Sequence, residues 1–150
     1  MKTIFEEASR KEIIERIARV EADKTAHWGK MNVYQMLRHC TLYEEWVQGI
    51  HRPAYRQAFM GRIFGKTVLR EMMKENEPLR KNMSTLKNLL VTIESCDLEE
   101  EKARWSALIR DYGQYTNPGF IHTFLGKMST DQIGQLVYKH ADHHLRQFAC

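Results

Sequence analysis

The sequence has few cysteines and no paired cysteine motif. Cys40, Cys96 and Cys150 are an odd set of three, and no two of them form a CxxC pattern. This argues against a disulfide framework and against a cysteine-based zinc site, and it fits a reducing compartment. We interpret Cys40 as a small buried residue and Cys150 as a free terminal thiol.

Long apolar runs are also missing. No stretch approaches the roughly twenty residues of a membrane span, and residues 1–7 lack the apolar centre of a secretion signal. With 43% hydrophobic and 28% charged residues and no repeat, the 150-residue chain has the composition of a globular domain. We therefore expect one domain spanning 1–150, a cytoplasmic location and no membrane partner.

Strands of alternating polarity are not evident, whereas apolar residues recur at helical spacing. Capping signals and apolar periodicity predict helix A at about 9–22, helix B from Asn32 to Gly49, helix C at about 56–75, helix D from Asp97 to Gly113 and helix E from Ser129 to Phe148. Residues 78–96 are predicted to form a long crossover, in which the apolar run 89–93 lies extended. The economical architecture is an all-α antiparallel bundle.

Two histidines of helix E have the spacing of metal ligands. His140 and His144 lie one turn apart, about 6 Å along the axis, so both rings can reach one point. They belong to a continuous apolar stripe, where two uncompensated imidazoles would be costly unless bonded to something. On helix B, His39 shares the apolar face formed by Met36, Cys40, Tyr43 and Val47. The sequence thus offers His39, His140 and His144 as a metal site, with satisfied core or surface histidines as the alternative.

A centre of three neutral histidines would leave the ion its full double charge and open positions, so a bound water or thiol would become more acidic. No carboxylate shares the metal-facing stripe, and Ala141 stands where a zinc-protease helix would have glutamate, which argues against a protease. A thiol needs less proton transfer than amide hydrolysis, which favours a transferase.

Four further residues are candidates around this centre. Gln35, Tyr43 and Gln147 could line the pocket or orient the ligands, or they could be ordinary packing residues. His122, in the loop before helix E, is a candidate proton shuttle or a solvated loop residue. His143 is predicted to lie at the rim or on the surface.

The segments WGKMN at 28–32, MLRHC at 36–40, FLGKM at 124–128 and YKHADHHLRQF at 138–148 resemble the DinB-like (YfiT-like) metalloenzyme superfamily, and more narrowly one of its branches of unknown function. The resemblance covers most of the chain. Two positions depart from the branch's pattern: Thr123 follows His122 where proline is usual, and Ile133 stands where tryptophan is common.

This resemblance implies a four-helix bundle, here with an additional helix and a long crossover between the second and the later bundle helices. It also implies a divalent metal, most often nickel or zinc, bound by three histidines that match His39, His140 and His144. Relatives in the superfamily include S-transferases and isomerases that use low-molecular-weight thiols, and metal-dependent hydrolases. The expected function is therefore a thiol S-transferase-like or hydrolase-like reaction on a small molecule.

Two other classes of function remain open at this point. Residues 51–90 contain nine Lys or Arg and three acidic residues, and Arg62, Lys66, Arg70 and Lys74 form a basic stripe on helix C that could meet phosphates. A solvated helix face is the simpler interpretation, with Phe59, Ile63 and Met73 on the opposite, apolar face, so no nucleic acid is expected. A metal-binding or structural bundle without catalysis is the other alternative, and a homodimer is left open.

Overall fold

Five α-helices form where apolar residues recur at helical spacing. The computed structural model describes residues 1–51, 53–75 and 77–150. The helices are α1 (Glu7–Ala18), α2 (Val33–Gln48), α3 (Phe59–Met72), α4 (Leu98–Asp111) and α5 (Thr130–Gln147). Within the described ranges there is no strand, only an isolated antiparallel bridge between His122 and Gly126. The all-α prediction is confirmed.

The core lies among α1, α2, α4 and α5. Helix α1 packs against α4 and α5, and α2 packs against the same two helices. The predicted inner face of α2 is buried, since Met36, Cys40 and Val47 are fully covered. Because α2 and α5 turn their apolar faces to each other, histidines on those faces can meet.

Capping residues define the first turns of the two helices that carry the histidines. Asn32 and Gln35 form a reciprocal capping box at the start of α2, as do Ser129 and Gln132 at the start of α5. Helix α2 ends at Gly49, which has a φ of 76° in the left-handed region that favours glycine. The predicted limits of helix B are confirmed.

The ends of the first and third helices differ from prediction. Helix α1 begins at Glu7, two residues before the predicted start, and ends at Ala18. Ser9 lies within the helix, and its hydroxyl group donates a hydrogen bond to Glu6. Helix α3 is shorter than the predicted 56–75. Just before the helix, the backbone N–H of Ala58 donates a hydrogen bond to the carbonyl oxygen of Thr123. At its end, Lys139 Nζ donates to the carbonyl oxygen of Met72 at 2.7 Å.

The crossover between α3 and α4 has little regular structure. Its one short helix in the described residues is a 3-10 turn, Lys87–Leu89. The predicted extended apolar run does not enter the core as a unit, because Leu89 is buried while Leu90 is 61% exposed and Ile93 is 37% exposed. Of the apolar run 89–93, Leu89 is the residue whose carbonyl oxygen contacts His39.

The buried face of α3 is not the apolar face predicted from its sequence. Phe59 and Ile63, which belong to that predicted apolar face, are both more than half exposed. The buried positions of α3 are Gly61, Gly65 and Leu69. Glycines allow the helix backbone to approach the loop at Phe124, so the small residues mark the inner face.

Two sequence observations concern the chain as a whole. Among the described residues, no helix is long and apolar enough to cross a membrane. The cysteines are unpaired: Cys40 is buried, as expected for a packing residue, and Cys96 and Cys150 are partly exposed.

Candidate metal centre

Helices α2 and α5 bring three histidine rings together. One ring nitrogen from each of His39, His140 and His144 lies within 4.8 Å of the others. His39 Nε2 and His140 Nε2 lie 3.1 Å apart. His39 and His144 are buried, whereas His140 is partly exposed, so the cluster is not sealed from solvent.

His39 is oriented by the crossover. Its Nδ1 lies 3.0 Å from the carbonyl oxygen of Leu89, and since a carbonyl only accepts, Nδ1 carries the hydrogen. Nε2 of a neutral ring then presents its lone pair to the cluster. The hydrogen bond to the Leu89 carbonyl oxygen therefore orients His39 and fixes its tautomer.

His144 is oriented by the end of its own helix. Its Nδ1 lies 2.9 Å from Oε1 of Gln147, and Nε2 of Gln147 donates to the carbonyl oxygen of Trp28 at 2.6 Å. The contact with Trp28 fixes which end of the amide faces His144, because only the NH₂ group can donate to a carbonyl. His144 Nδ1 is therefore the donor, and its Nε2 is left with a lone pair.

His140 is held by packing rather than by a hydrogen bond to Nδ1. Its ring stacks on Tyr43, with 3.8 Å between centroids and 22° between planes, and its buried Nδ1 has no hydrogen-bond partner among the described residues. Its Nε2 faces Nε2 of His39, whose proton is already on Nδ1. A proton on His140 can bridge the two nitrogens, and a cation that accepts both lone pairs can do so as well.

The donor set, and the spacing of His39 and His140 within it, fit a divalent metal ion. Two nitrogens that each lie about 2.1 Å from zinc in tetrahedral geometry are about 3.4 Å apart, close to the 3.1 Å between His39 and His140. Two of the three rings also have the oriented Nδ1–H that metal-binding histidines usually have. Imidazole nitrogen suits zinc and nickel alike, so this donor set does not select between them.

Burial keeps these histidines neutral. It lowers the pKa of His39, lowers that of His144 to about 3, and lowers that of His140 well below its usual value. Mutual repulsion of the rings adds to the effect for His140 and His144. Neutral imidazole is the form that binds metals, so the rings need not lose protons at neutral pH.

Of the three pocket candidates, two touch the cluster and one lies apart. Tyr43 packs on His140, and Gln147 orients His144. Gln35 uses its amide elsewhere: Oε1 accepts from the Asn32 backbone and Nε2 donates to the carbonyl oxygen of Ile93, both at 3.0 Å. Its role in the structure is to cap α2 and attach the crossover.

His122 lies outside the three-histidine cluster and is built into its own loop. Its Nδ1 accepts from the backbone N–H groups of Phe124 and Leu125, both at 3.1 Å, so the hydrogen of the neutral ring is on Nε2. Burial lowers the pKa of His122 to about 4. The residue is a neutral donor at physiological pH, not a solvated loop histidine.

Some contributors to the site were missed from the sequence. His143 was predicted at the rim or surface, but it is buried, and its Nε2 accepts from Trp28 Nε1 at 3.4 Å. Leu89 and Trp28 act through backbone carbonyls, a group that every residue has. The segment around Trp28 could be singled out only by its resemblance to a family, since no spacing rule assigns it a role.

A family model described as "Protein of unknown function (DUF1569)" matches residues 5–150. The match includes all three histidines, both helices that carry them and the loop of His122. No curated protein and no solved structure matches the chain.

Proposed function

We propose that this chain, which belongs to DUF1569, a family of proteins of unknown function, is an enzyme that acts on a small molecule at a divalent metal ion. His39, His140 and His144 would hold the ion, nickel or zinc. The observation that carries the proposal is their convergence within 4.8 Å, with the Nδ1 atoms of His39 and His144 oriented from outside. Two unrelated segments, at Leu89 and Trp28, serve that orientation.

The architecture proposed with it is a four-helix bundle of α1, α2, α4 and α5. Each of these helices packs against two of the others. Helix α3 is then the additional helix, and the residues between α2 and α4 are the long crossover. Membership of the DinB-like superfamily is part of the same proposal, supported by the residue resemblance and by this arrangement.

An ion bound there would act as a Lewis acid and lower the pKa of a coordinated thiol or water. The chain's own residues limit the reaction. The described cluster contains no carboxylate, so it lacks the base that amide hydrolysis requires. This favours a reaction that needs little proton transfer, such as attack by a low-molecular-weight thiol, over a demanding hydrolysis.

The remaining residues have supporting roles. Tyr43 covers one face of His140 and keeps water from it. His122, with its hydrogen on Nε2, is suited to donate a hydrogen bond to a substrate, and its Nδ1 is already occupied by two backbone groups. We assign it as a candidate hydrogen-bond donor to the substrate rather than a proton shuttle, with the loop from His122 to Gly126 as its support.

The test is the metal content of protein purified without chelators. We expect about one equivalent of nickel or zinc in the wild type, and loss of it in His39→Ala and in His144→Ala, because two histidines bind much more weakly than three. His27→Ala is the matched control, since His27 is exposed and outside the cluster; this variant should keep the ion.

Absence of metal from the wild type, even after incubation with zinc and nickel, would overturn the proposal. Equal metal content in all variants would also overturn it, because the ion would then be bound elsewhere.

If the ion binds as expected, thiol-transfer and hydrolase substrates should be screened with the wild type and His122→Asn. Asparagine Oδ1 can replace the Nδ1 acceptor in the loop while the Nε2 donor is removed. Tight metal binding without turnover would indicate the non-catalytic alternative.

A further inference from the structure

Helix α3 exposes a cluster of large apolar side chains at its beginning. Phe59 is 73% exposed, Met60 53%, Ile63 54% and Phe64 49%. These four residues all lie within the first six positions of the helix. Single exposed apolar residues are ordinary on a protein surface, but a contiguous cluster of four marks an interaction surface.

The opposite face of α3 explains why this cluster points outward. A Cβ on Gly61 or Gly65 would lie 2.3 or 2.2 Å from the carbonyl oxygen of Phe124, so the helix backbone rests on that loop. Leu69 is buried further along the same face. The inner face is therefore already in use, and the apolar cluster has no partner among the described residues.

Basic side chains lie beside the cluster and beyond it along the chain. Arg62, Lys66, Arg70 and Lys74 are all exposed, and of these only Lys74 forms an ion pair in the described chain, with Glu71. Arg62 and Lys66 line a groove together with Lys127 of the loop before α5, and no acidic residue among the described residues lines it. The surface thus combines apolar side chains with uncompensated positive charge.

We propose that this surface of α3 docks on a membrane rich in anionic lipids. The first half of the helix would insert its apolar side chains between lipid head groups. The second half, where Lys66 and Arg70 are exposed, would lie over the phosphates, and the groove with Arg62 and Lys127 would take a head group. This combination of apolar and Lys/Arg-rich surface on a short helix is typical of proteins that bind in the interfacial plane.

Charge decides between this partner and a second copy of the chain. Two α3 surfaces facing each other would bring their basic residues together, whereas an anionic surface neutralises them. The proposal departs from the sequence-based expectation of no membrane partner, which considered membrane spans and not surface docking. It does not depend on the metal centre, so either proposal can fail alone.

The test is co-sedimentation of the full chain with vesicles of phosphatidylcholine, with and without phosphatidylglycerol. We expect binding to the anionic vesicles that weakens as salt is added. Ile63→Ser should weaken binding about tenfold by removing apolar contact. The matched control is Leu90→Ser, because Leu90 is an equally apolar residue that is 61% exposed but lies on the crossover; this variant should bind as the wild type does. Lys66→Gln should weaken binding about fivefold, and Lys30→Gln, an exposed lysine outside the surface, should not.

Several outcomes would overturn the proposal. These are no binding, equal binding to uncharged vesicles, or an equal loss in Leu90→Ser and Ile63→Ser. A dimer in light scattering that is lost in Ile63→Ser would identify a second copy as the occupant instead. Binding of duplex DNA that is lost in Lys66→Gln, without vesicle binding, would identify a nucleic acid. The exposed positions of these substitutions mean that circular dichroism should be unchanged in every variant.

Discussion

Gln147 connects three parts of the chain through one amide group. Its Oε1 accepts from His144 and its Nε2 donates to the carbonyl oxygen of Trp28. Gly29 makes this approach feasible, because its φ of +84° favours glycine and a Cβ there would lie 2.7 Å from Nε2 of Gln147. The turn at residues 28–29 therefore supports a histidine with which it has no direct contact.

Gln147→Leu should weaken metal binding without removing a ligand. Leucine has a similar size but leaves Nδ1 of His144 without its acceptor, and loss of such a partner typically costs 10- to 100-fold in affinity. Stability should fall by about 1–3 kcal/mol, because the carbonyl oxygen of Trp28 is left unpaired. Competition with a chromogenic chelator measures the affinity, and urea unfolding measures the stability.

Gln35→Leu is the matched control for that substitution. Gln35 caps α2 and bonds to Ile93, so its loss should lower stability by about 1 kcal/mol and weaken zinc binding far less than Gln147→Leu, because Gln35 does not contact a histidine of the cluster in the described residues. If Gln147→Leu bound zinc as tightly as Gln35→Leu, the assigned role of the Gln147 amide would be wrong.

At the scale of residues, the sequence made the three histidines easy to group and their supports hard to find. The one-turn spacing of His140 and His144 follows from helix geometry alone. The partner of His39 is a backbone oxygen of Leu89, and the partner of Gln147 is a backbone oxygen of Trp28. Such groups carry no residue signature, so they emerge only when the chain is folded.

At the scale of elements, α3 is positioned by glycines rather than by side chains that fill a core. The helix lies so close to the loop of His122 that Gly65 has no room for a methyl group. Gln57 Nε2, just before the helix, also donates to Phe124, at 3.2 Å. The loop that holds His122 is thus supported from outside by α3.

Gly65→Ala should destabilise the protein even though alanine is the better helix former. The new Cβ would lie 2.2 Å from Phe124 O and 3.2 Å from Leu125 Cα, so backbone atoms must move. Overpacking of this kind costs about 1–3 kcal/mol, which outweighs a propensity gain of about 1 kcal/mol. Urea unfolding of both proteins at one pH measures the difference.

Gly119→Ala provides the comparison for a position with space. The nearest atom to a Cβ there is Asn117 Oδ1, at 3.8 Å, so stability should change by no more than about 0.5 kcal/mol. A Gly65→Ala protein as stable as Gly119→Ala would show that α3 is not held tightly against the loop.

Element boundaries were predicted well where the signal is local and poorly where it is tertiary. The capping boxes of α2 and α5 are formed within four residues of sequence, and both were confirmed. The limits of α3 depend on Thr123 and Lys139, which lie far away in the chain. For the same reason its inner face was assigned wrongly, since glycine carries no apolar signal.

At the scale of the whole molecule, one carboxyl group is buried in the core. Glu44 is completely covered; its Oε2 accepts from Tyr112 at 2.5 Å, and its Oε1 has no partner in the described residues. Burial raises the pKa of Glu44 from 4.5 to about 8. The periodicity of apolar residues predicted the all-α class. It did not predict the burial of Glu44, because a charged residue next to Tyr43 gives no apolar signal.

Glu44 should make the folded protein less stable as pH rises. Its folded pKa is raised, so between 4.5 and about 8 the folded state holds a proton that the unfolded state has lost, and unfolding free energy falls with pH. The buried histidines act in the opposite direction, because lowered pKa values cost stability only as pH falls below 6.5. The histidines contribute equally to the wild type and to Glu44→Gln, so the difference between these two proteins isolates Glu44.

Between pH 6.5 and 8, we expect the unfolding free energy of the wild type to fall by about 1.5 kcal/mol relative to that of Glu44→Gln. Glutamine keeps an acceptor for Tyr112 but cannot ionise, so its stability should not follow the titration of a carboxyl group. Urea unfolding of metal-free protein at several pH values makes the measurement, since a bound ion would add its own pH dependence. Parallel curves for the two proteins would mean that the Glu44 carboxyl ionises with an ordinary pKa, or that water reaches it in the folded state.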